Sequence, residues 1–294
     1  MASPVEVDLK DRVAVITGAA RGMGAAYVRG FLNAGANVVA TDRSWSSCEE
    51  FREELVQSGR ALVLDMDVTS DEQIDRAYDA TMARFNTVDV LVNNAAMRMR
   101  DLYPPAGRLN TLLETKDEDW SRLYNVNVFG TLRVIRRFIR PMIEKRRGSI
   151  MTVVSSGILF HSRGGAYEAL RPDSKEQPYM SSKAALANLS FYLAAEMKQY
   201  NIAANIVIPG HARTTGFDEQ NRARILAGMR PGPQPLVPEH IVPIVLFLAS
   251  QDASGVTGKM FDVIRWNIEH GLGAEEVWAD QSFSYEEKHE RMKP

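Results

Sequence analysis

Short apolar stretches alternate with longer amphipathic stretches along most of the chain. The apolar stretches occupy residues 13–16, 38–40, 61–64, 88–92, 149–154 and 203–208. Between the first three of them, residues 25–32 and 48–56 carry apolar side chains at helical spacing. This alternation predicts successive β-α units. Because the apolar stretches lack a strict two-residue period, both faces of their sheet should be covered, which predicts an α/β fold with a parallel sheet between two layers of helices.

Residues typical of helix ends separate these stretches. Gly35 follows the first predicted helix, at a position where glycine commonly ends a helix. Residues 70–73 (SDEQ) resemble a capping box at the start of the third helix, and residues 115–118 (TKDE) resemble another. Residues 97–114 and 161–177 do not follow the pattern, and loops of that length are expected to border a functional site.

No repeat, low-complexity tract or linker divides the chain, so one domain over residues 1–294 is predicted. Residues 267–294 read as a C-terminal extension of that domain. The extension carries Trp278, Phe283 and Tyr285 among charged residues, and large aromatic side chains are costly to leave in water. It is therefore expected at a subunit interface, which predicts a homo-oligomer.

Composition restricts the class of partner. The formal net charge of -2 gives no reason to expect a nucleic acid or a membrane as partner, and favours a small-molecule substrate. Cys48 is the single cysteine, which excludes an intramolecular disulfide and a cysteine-rich metal site, and no metal is expected. The first residues are polar where a signal peptide would be apolar, and residues 241–249 are too short an apolar run to cross a bilayer. A cytoplasmic location is the expectation.

A glycine-rich turn follows the first predicted strand and leads directly into a helix. Glycines at such a turn let the backbone approach a pyrophosphate, and the helix N-terminus attracts its negative charge. Asp42 ends the second predicted strand, about 20 residues further on, where a carboxylate binds adenosine ribose hydroxyls and repels a 2′-phosphate. NAD is therefore favoured over NADP. Arg21 and Arg43 keep NADP open, because a guanidinium can pair with that phosphate.

Together, these and further motifs resemble the short-chain dehydrogenase/reductase family over residues 10–263. The matching motifs occur in the family's order: Thr17, Gly18, Gly22 and Gly24; Asp67 and Val68; Asn93, Asn94, Ala95 and Ala96; Asn127; Ser155; Tyr179 and Lys183; Pro209, Gly210 and Thr214. The family's usual glycine is replaced by Ala96, and its usual C-terminal Val-Asp-Gly-Gly by residues 263–266 (VIRW).

The resemblance implies the fold class α/β, with a Rossmann-type doubly wound parallel sheet of about seven strands and helices on both faces. It also implies an oxidoreductase that transfers a hydride between NAD(H) and a secondary alcohol or ketone, commonly as a dimer or tetramer. The catalytic residues that it implies are Asn127, Ser155, Tyr179 and Lys183. The cofactor-binding residues that it implies are Gly18, Arg21, Gly22, Met23, Gly24, Asp42, Asp67, Val68, Asn94, Ala95, Tyr179, Lys183, Pro209, Gly210 and Thr214.

The chemistry of the catalytic residues follows from their type and spacing. Tyr179 and Lys183 are four residues apart in a predicted helix and project from one face. An ammonium beside a phenol stabilises the phenolate, so Tyr179 can exchange a proton with the substrate hydroxyl. Ser155 would hydrogen-bond the substrate oxygen, and Asn127, as the resemblance implies, would hold a water that connects Lys183 to solvent.

Two alignments leave alternatives open. Ser155 lies 24 residues before Tyr179, about twice the family's usual separation, so Ser156 is the alternative to Ser155. Tyr167 is a weak rival to Tyr179, because Arg171 stands where a lysine is needed. His211 follows the Pro-Gly turn, and a solvated loop histidine is the expectation there.

Arginines in the predicted pocket loops suggest a substrate feature. They lie in residues 97–114, 161–177 and 215–235: Arg98, Arg100, Arg108, Arg163, Arg171, Arg222, Arg224 and Arg230. The hypothesis is that some of them bind a carboxylate or phosphate on an otherwise apolar substrate, against the alternative that they are solvated loop charges. Two other functions stay open: a lyase, epimerase or dehydratase that uses the cofactor transiently, and a cofactor-bound regulatory protein without turnover.

Overall fold

The structure is a computed structural model. It describes residues 7–102, 112–158, 177–214, 217–218, 221 and 234–283. Among these residues, one parallel sheet forms the centre of the molecule. Its strands are β1 (Val13–Thr17), β2 (Asn37–Asp42), β3 (Ala61–Asp65), β4 (Val90–Asn93), β5 (Gly148–Val153), β6 (Ile202–Ile208) and β7 (Met260–Asp262).

The strand order is β3-β2-β1-β4-β5-β6-β7, and every neighbouring pair is parallel. Chain order reverses between β1 and β4. A crevice forms at such a reversal, outside the carboxyl ends of the strands, and ligands of doubly wound folds bind there. The predicted fold class is confirmed.

Helices cover both faces of the sheet. The longer ones are α1 (Gly22–Asn33), α2 (Glu49–Gln57), α3 (Asp71–Phe85), α4 (Asp117–Tyr124), α5 (Thr131–Phe138), α6 (Arg140–Lys145), α7 (Gln177–Met197), α8 (Val242–Ala249) and α9 (Val263–Glu269). A π-helical turn, Asn125–Gly130, joins α4 to α5, and single turns occur at Met99–Leu102, Leu112–Glu114, Lys198–Tyr200, Pro238–Ile241 and Glu275–Trp278.

Two apolar layers hold the helices to the sheet. On one face, Phe31 of α1 and Leu248 of α8 belong to a buried cluster with alternate residues of β1 and β4. On the other face, Phe138 of α5 and Met142 of α6 belong to a second cluster that includes Leu91 of β4. Because β1 and β4 are apolar on both sides, they lie at the centre of the sheet with every residue buried.

Of the three helix-end predictions, one is confirmed in full, at Gly35, which has the positive φ of +88° that favours glycine after a helix. The capping box at residues 70–73 is half formed: the Ser70 hydroxyl accepts a hydrogen bond from the Gln73 backbone N–H at 3.3 Å, but the Gln73 side chain accepts from the Asp67 N–H at 2.9 Å and not from Ser70. The capping box at residues 115–118 is wrong by one residue. Helix α4 begins after Lys116, whose backbone N–H donates to the Asp119 carboxylate at 3.0 Å, while the Thr115 hydroxyl donates to the Leu112 carbonyl at 2.8 Å.

In the part of the chain that the structure describes, no helix is both long enough and apolar enough to cross a membrane.

Candidate active site

The glycine turn after β1 is fixed from two neighbouring strands. The Asp42 carboxylate, at the end of β2, accepts a hydrogen bond from the Ala20 backbone N–H at 3.0 Å. From the end of β4, the Asn94 amide donates to the carbonyls of Thr17 at 2.9 Å and Gly18 at 3.0 Å. Side-chain hydrogen bonds from both neighbouring strands therefore fix the turn.

Close packing within this turn requires its glycines. Gly18 has φ of +65°, and a Cβ built on it would lie 2.9 Å from the Ala95 Cα. A Cβ at Gly24 would overlap the Gly18 carbonyl oxygen, because the first turn of α1 folds back onto the loop. A helix start leaves backbone N–H groups without partners inside the helix, and because Gly22, Met23 and Gly24 line the crevice, such groups of α1 can bind a phosphate there.

A cavity of about 400 Å³ lies at the crevice. Most of the predicted cofactor-binding residues line it: Gly18, Arg21, Gly22, Met23, Gly24, Asp42, Asp67, Val68, Asn94, Ala95, Tyr179, Lys183 and Thr214. Arg43, Met97, Arg98 and Asp101 line it as well. The cavity thus joins the glycine turn to the Tyr179 and Lys183 pair.

Tyr179 and Lys183 are both almost fully buried near the start of α7. The Lys183 ammonium nitrogen lies 5.7 Å from the centre of the Tyr179 ring and donates a hydrogen bond to the Val153 carbonyl at 2.9 Å. Burial, and to a smaller extent the positive charge of Arg98, lower the pKa of Lys183 from 10.5 to about 7. Lys183 can therefore hold or release a proton near neutral pH.

Arg98 approaches the same tyrosine from the cavity. Its guanidinium carbon lies 5.4 Å from the centre of the Tyr179 ring. Two cationic side chains, Arg98 and Lys183, thus lie within 6 Å of one phenol ring, which is the range of cation–π attraction. Of the eight arginines considered from sequence, Arg98 is the one whose side chain the described residues place at the cavity.

Asn127 has a different environment from the one expected. Its side chain lies in the π-helical turn, is fully buried and does not line the cavity. The side-chain oxygen accepts from the Met97 N–H at 2.7 Å, and the side-chain nitrogen donates to the Met97 carbonyl and the Ser182 hydroxyl, each at 3.0 Å. Asn127 therefore connects the segment after β4 to α7. Its role in holding a water stays a prediction.

Three more of the predicted site residues do not line the cavity: Ser155, Pro209 and Gly210. Ser155 directly follows Val153 and Val154, which do. The Pro209 carbonyl lies 2.6 Å from the Nε2 atom of His240, a fully buried residue that sequence reasoning missed. No pattern marked His240, because its proximity to Pro209 exists only in the folded chain.

Several sequence predictions fall outside the described residues. These are Tyr167, the side chain of Arg100, and Arg108, Arg163, Arg171, Arg222, Arg224 and Arg230. Within the described ranges, no group of three or more histidine, cysteine or acidic side chains could hold a metal ion.

Similarity to known proteins agrees with this geometry. Residues 12–225 match the family model described as short chain dehydrogenase. The chain is 47% identical to fluoren-9-ol dehydrogenase of Terrabacter sp. (strain DBF63) over 273 residues, which is 93% of this chain and 76% of that enzyme. It is 31% identical to the 3-oxoacyl-(acyl-carrier-protein) reductases of Salmonella typhimurium, over 260 residues, and Thermotoga maritima, over 262; each match covers 87% of this chain and 97% of the relative.

Proposed function

The chain belongs to the short-chain dehydrogenase/reductase family, an oxidoreductase family acting on CH–OH and C=O groups, and from this premise we propose that it interconverts a secondary alcohol and a ketone with NAD(H), using Tyr179 as general acid and base. The observation that carries the proposal is the placement of Tyr179 and Lys183 in one cavity with the glycine turn and Asp42. That arrangement joins a proton-exchanging group to a dinucleotide site.

The residues present fit a nicotinamide cofactor. Gly18, Gly22 and Gly24 line the cavity where a pyrophosphate would lie, and the start of α1 would supply backbone donors to it. Asp67 and Val68 line the same cavity and would hold the adenine, while Thr214 and the Pro209-Gly210 turn would hold the carboxamide end. When bound, the cofactor accepts a hydride in oxidation and supplies one in reduction.

NAD is the proposed cofactor because of Asp42. A carboxylate at the end of β2 accepts hydrogen bonds from ribose hydroxyls and repels a 2′-phosphate. Arg21 and Arg43 line the cavity too and would favour that phosphate. Asp42 is held in place by its hydrogen bond from Ala20, so its charge stays fixed beside the ribose position.

Tyr179 exchanges the proton of the substrate hydroxyl in this proposal. In oxidation the phenolate oxygen takes that proton while the carbon gives up its hydride, and in reduction both transfers reverse. Lys183 stabilises the phenolate charge and holds a proton at its ammonium nitrogen. Ser155 donates a hydrogen bond to the substrate oxygen, and Asn127 supports the proton path from Lys183 to solvent.

The proposed substrate is an aryl secondary alcohol or the corresponding ketone. A 47% identical relative is named for fluoren-9-ol, a flat aromatic alcohol. Met97 lines the cavity, and Met99 and Leu102 pack with Tyr179 in one apolar cluster. Methionine side chains adapt their shape to aromatic rings, which suits such a substrate.

Arg98 supports a second substrate class, in which the alcohol carries a carboxylate. Its guanidinium is next to the Tyr179 ring, where it can pair with an anionic group beside the reacting carbon. In an Arg98→Ala variant, kcat/KM should then fall for carboxylated alcohols and not for neutral ones. Equal loss for both would exclude the carboxylate hypothesis.

The test of the function is the 340 nm absorbance with NAD, and separately with NADP, across aryl, steroid-like and carboxylated secondary alcohols. Turnover that is lost in Tyr179→Phe while NADH still binds supports the proposal. NADH binding without any change in absorbance would favour the alternatives, a non-redox lyase or epimerase, or a cofactor-binding regulatory protein. Product analysis by mass spectrometry separates those two.

We also propose that the enzyme is cytoplasmic and a homo-oligomer, a tetramer or dimer. Tyr192 is exposed and lines an apolar groove of about 290 Å³ between α5 and α7, and Phe129, shortly before α5, is exposed as well. Exposed apolar surface of this kind commonly marks subunit contacts. The extension at residues 267–294 is proposed to contribute to an interface as well, but not through Phe283, which is buried against Arg213 and Phe217 of its own chain. A monomeric mass in solution by light scattering would contradict the oligomer.

A further inference from the structure

The C-terminal segment, residues 278–283, packs against residues that follow β6 in the same chain. The Arg213 N–H donates to the Leu236 carbonyl at 2.7 Å, and the Leu236 N–H donates to the His211 carbonyl at 3.0 Å. On the other side, the Val237 N–H donates to the Trp278 carbonyl and the Asp280 N–H to the Pro235 carbonyl, each at 2.8 Å. Three short segments are thus joined side by side by backbone hydrogen bonds, with residues 235–237 between residues 211–213 and residues 278–280.

Side chains reinforce this arrangement at Arg213. Its guanidinium donates to the Asp280 carboxylate at 2.8 Å and lies 3.4 Å from the Asp218 carboxylate. Its guanidinium carbon is 5.3 Å from the centre of the Phe283 ring, and that ring meets Phe217 edge to face at 6.0 Å. Phe283 is only 5% exposed. Arg213, directly before Thr214, and residues 217–218, shortly after it, therefore both contact the C-terminal segment or its partners.

The ion pair between Asp280 and Arg213 is partly buried, and Ser282 forms hydrogen bonds with both side chains. Burial opposes ionisation of Asp280, but hydrogen bonds from Arg213 and Ser282 outweigh it and hold the pKa of Asp280 below its usual value. The pair stays ionised at neutral pH. Since its side chains are 22% and 13% exposed, it is better shielded from solvent than an ordinary surface pair.

Thr214 is the residue that this arrangement positions. It lines the cavity, and its methyl group would lie 3.1 Å from a Cβ built on Gly22, at the start of α1. Thr214 directly follows Arg213, so fixing Arg213 fixes the approach of Thr214 to the glycine turn.

We propose that Arg213 is a positioning residue, which acts through Asp280 and Phe283 of the C-terminal segment to hold Thr214 at the nicotinamide end of the cofactor site. The inference rests on the proposed function for the identity of the ligand and for the place of its nicotinamide end at Thr214. It assigns residues 278–283 a role in cofactor binding within their own subunit.

The test is an Asp280→Ala variant of the full chain, titrated with NADH and with ADP-ribose, which lacks the nicotinamide. We expect the Kd for NADH to rise about tenfold, which is about 1.4 kcal/mol, and the Kd for ADP-ribose to stay unchanged. Asp280→Glu, which keeps the carboxylate, should restore NADH binding. If Asp280→Ala fails to fold, Phe283→Leu keeps the apolar burial, removes the ring contacts and should give the same split between the two ligands.

Arg265→Ala is the matched control. Arg265 pairs with the Glu269 carboxylate at 2.8 Å, the same length as the Arg213 to Asp280 pair, but this pair is exposed on α9. Its loss should therefore leave the Kd values for NADH and ADP-ribose those of the wild type. Equal weakening of NADH and ADP-ribose in Asp280→Ala, or weakening of neither, would overturn the inference. Because both readouts are binding constants, they remain informative even if the wild type turns over no alcohol, which is the outcome that would instead refute the proposed function.

Discussion

The Asp42 carboxylate and the Ala20 backbone N–H lie 3.0 Å apart and join the end of β2 to the glycine turn. One side chain therefore has two roles, anchoring the loop and presenting a negative charge to the ribose. Substitutions that separate the two roles test the cofactor assignment.

Asp42→Asn keeps an oxygen that can accept from Ala20 and removes the charge. We expect the ratio of kcat/KM with NAD to kcat/KM with NADP to fall at least tenfold, because the 2′-phosphate is no longer repelled and Arg21 and Arg43 can pair with it. Asp42→Ala removes the anchor as well and should also weaken NAD. An unchanged ratio in both variants would contradict the assignment of NAD by charge.

Gly24→Ala tests the glycine turn. Its Cβ would overlap the Gly18 carbonyl, so the loop must shift and the Kd for NADH should rise at least a hundredfold, measured by fluorescence titration. Gly59→Ala is the control. Gly59 also has a positive φ, +68°, but its Cβ would meet nothing within 4 Å, so the cost is about 1–2 kcal/mol of stability with NADH affinity unchanged. Normal NADH binding by Gly24→Ala would exclude the close-packed turn.

Asn127→Ala tests the connection between the segment after β4 and α7. The substitution leaves the buried N–H of Met97 without its partner, and the Met97 carbonyl loses its bond too. Each unsatisfied buried group costs about 1–3 kcal/mol, so the free energy of unfolding in urea should fall by about 2–4 kcal/mol. Asn127→Asp retains the acceptor for the Met97 N–H but sets a carboxylate oxygen against the Met97 carbonyl in a buried site, so at neutral pH it should also be destabilised. A variant as stable as the wild type would contradict the structural role of Asn127.

The sequence predicted the sheet and the glycine turn because both depend on local signals. Apolar periodicity marks β1 and β4, and the glycine spacing marks a loop whose conformation its own residues determine. The seventh strand was expected and could not be located, since Met260–Asp262 is three residues long and has no period of its own. The parallel α/β sheet therefore followed from the apolar pattern, whereas its seventh strand followed only from the family resemblance.

The environment of the catalytic side chains depends on distant contacts and could not be predicted. The Asn127 amide is occupied by Met97, and the position of Met97 is set by where the segment after β4 packs against α7. The Phe283 ring packs onto Arg213 of its own chain, 70 residues earlier, and no local pattern connects the two residues. Motifs identified the residues of the site, and tertiary packing determines what each of them contacts.

Lys183 gives a prediction on stability and pH. It is fully buried, and burial is the main cause that lowers its pKa from 10.5 to about 7 in the cofactor-free protein. Between those values the unfolded chain binds a proton at this lysine and the native protein does not. Stability therefore rises with pH across that window, by up to about 1.4 kcal/mol per pH unit from this group. Below pH 7 both states hold the proton and the contribution is constant.

Lys183→Met should remove this dependence. We expect the difference in unfolding free energy between wild type and variant to change by up to about 2–3 kcal/mol between pH 7.5 and pH 9.5, with the wild type gaining as pH rises. The measurement is urea unfolding at both pH values without cofactor. Lys198→Met, which removes an exposed lysine just beyond α7, is the control and should show a constant difference from the wild type. If Lys183→Met and the wild type show parallel pH dependences, Lys183 keeps its proton in the buried site. The proposed proton path would then have to run through a lysine that does not titrate near neutral pH.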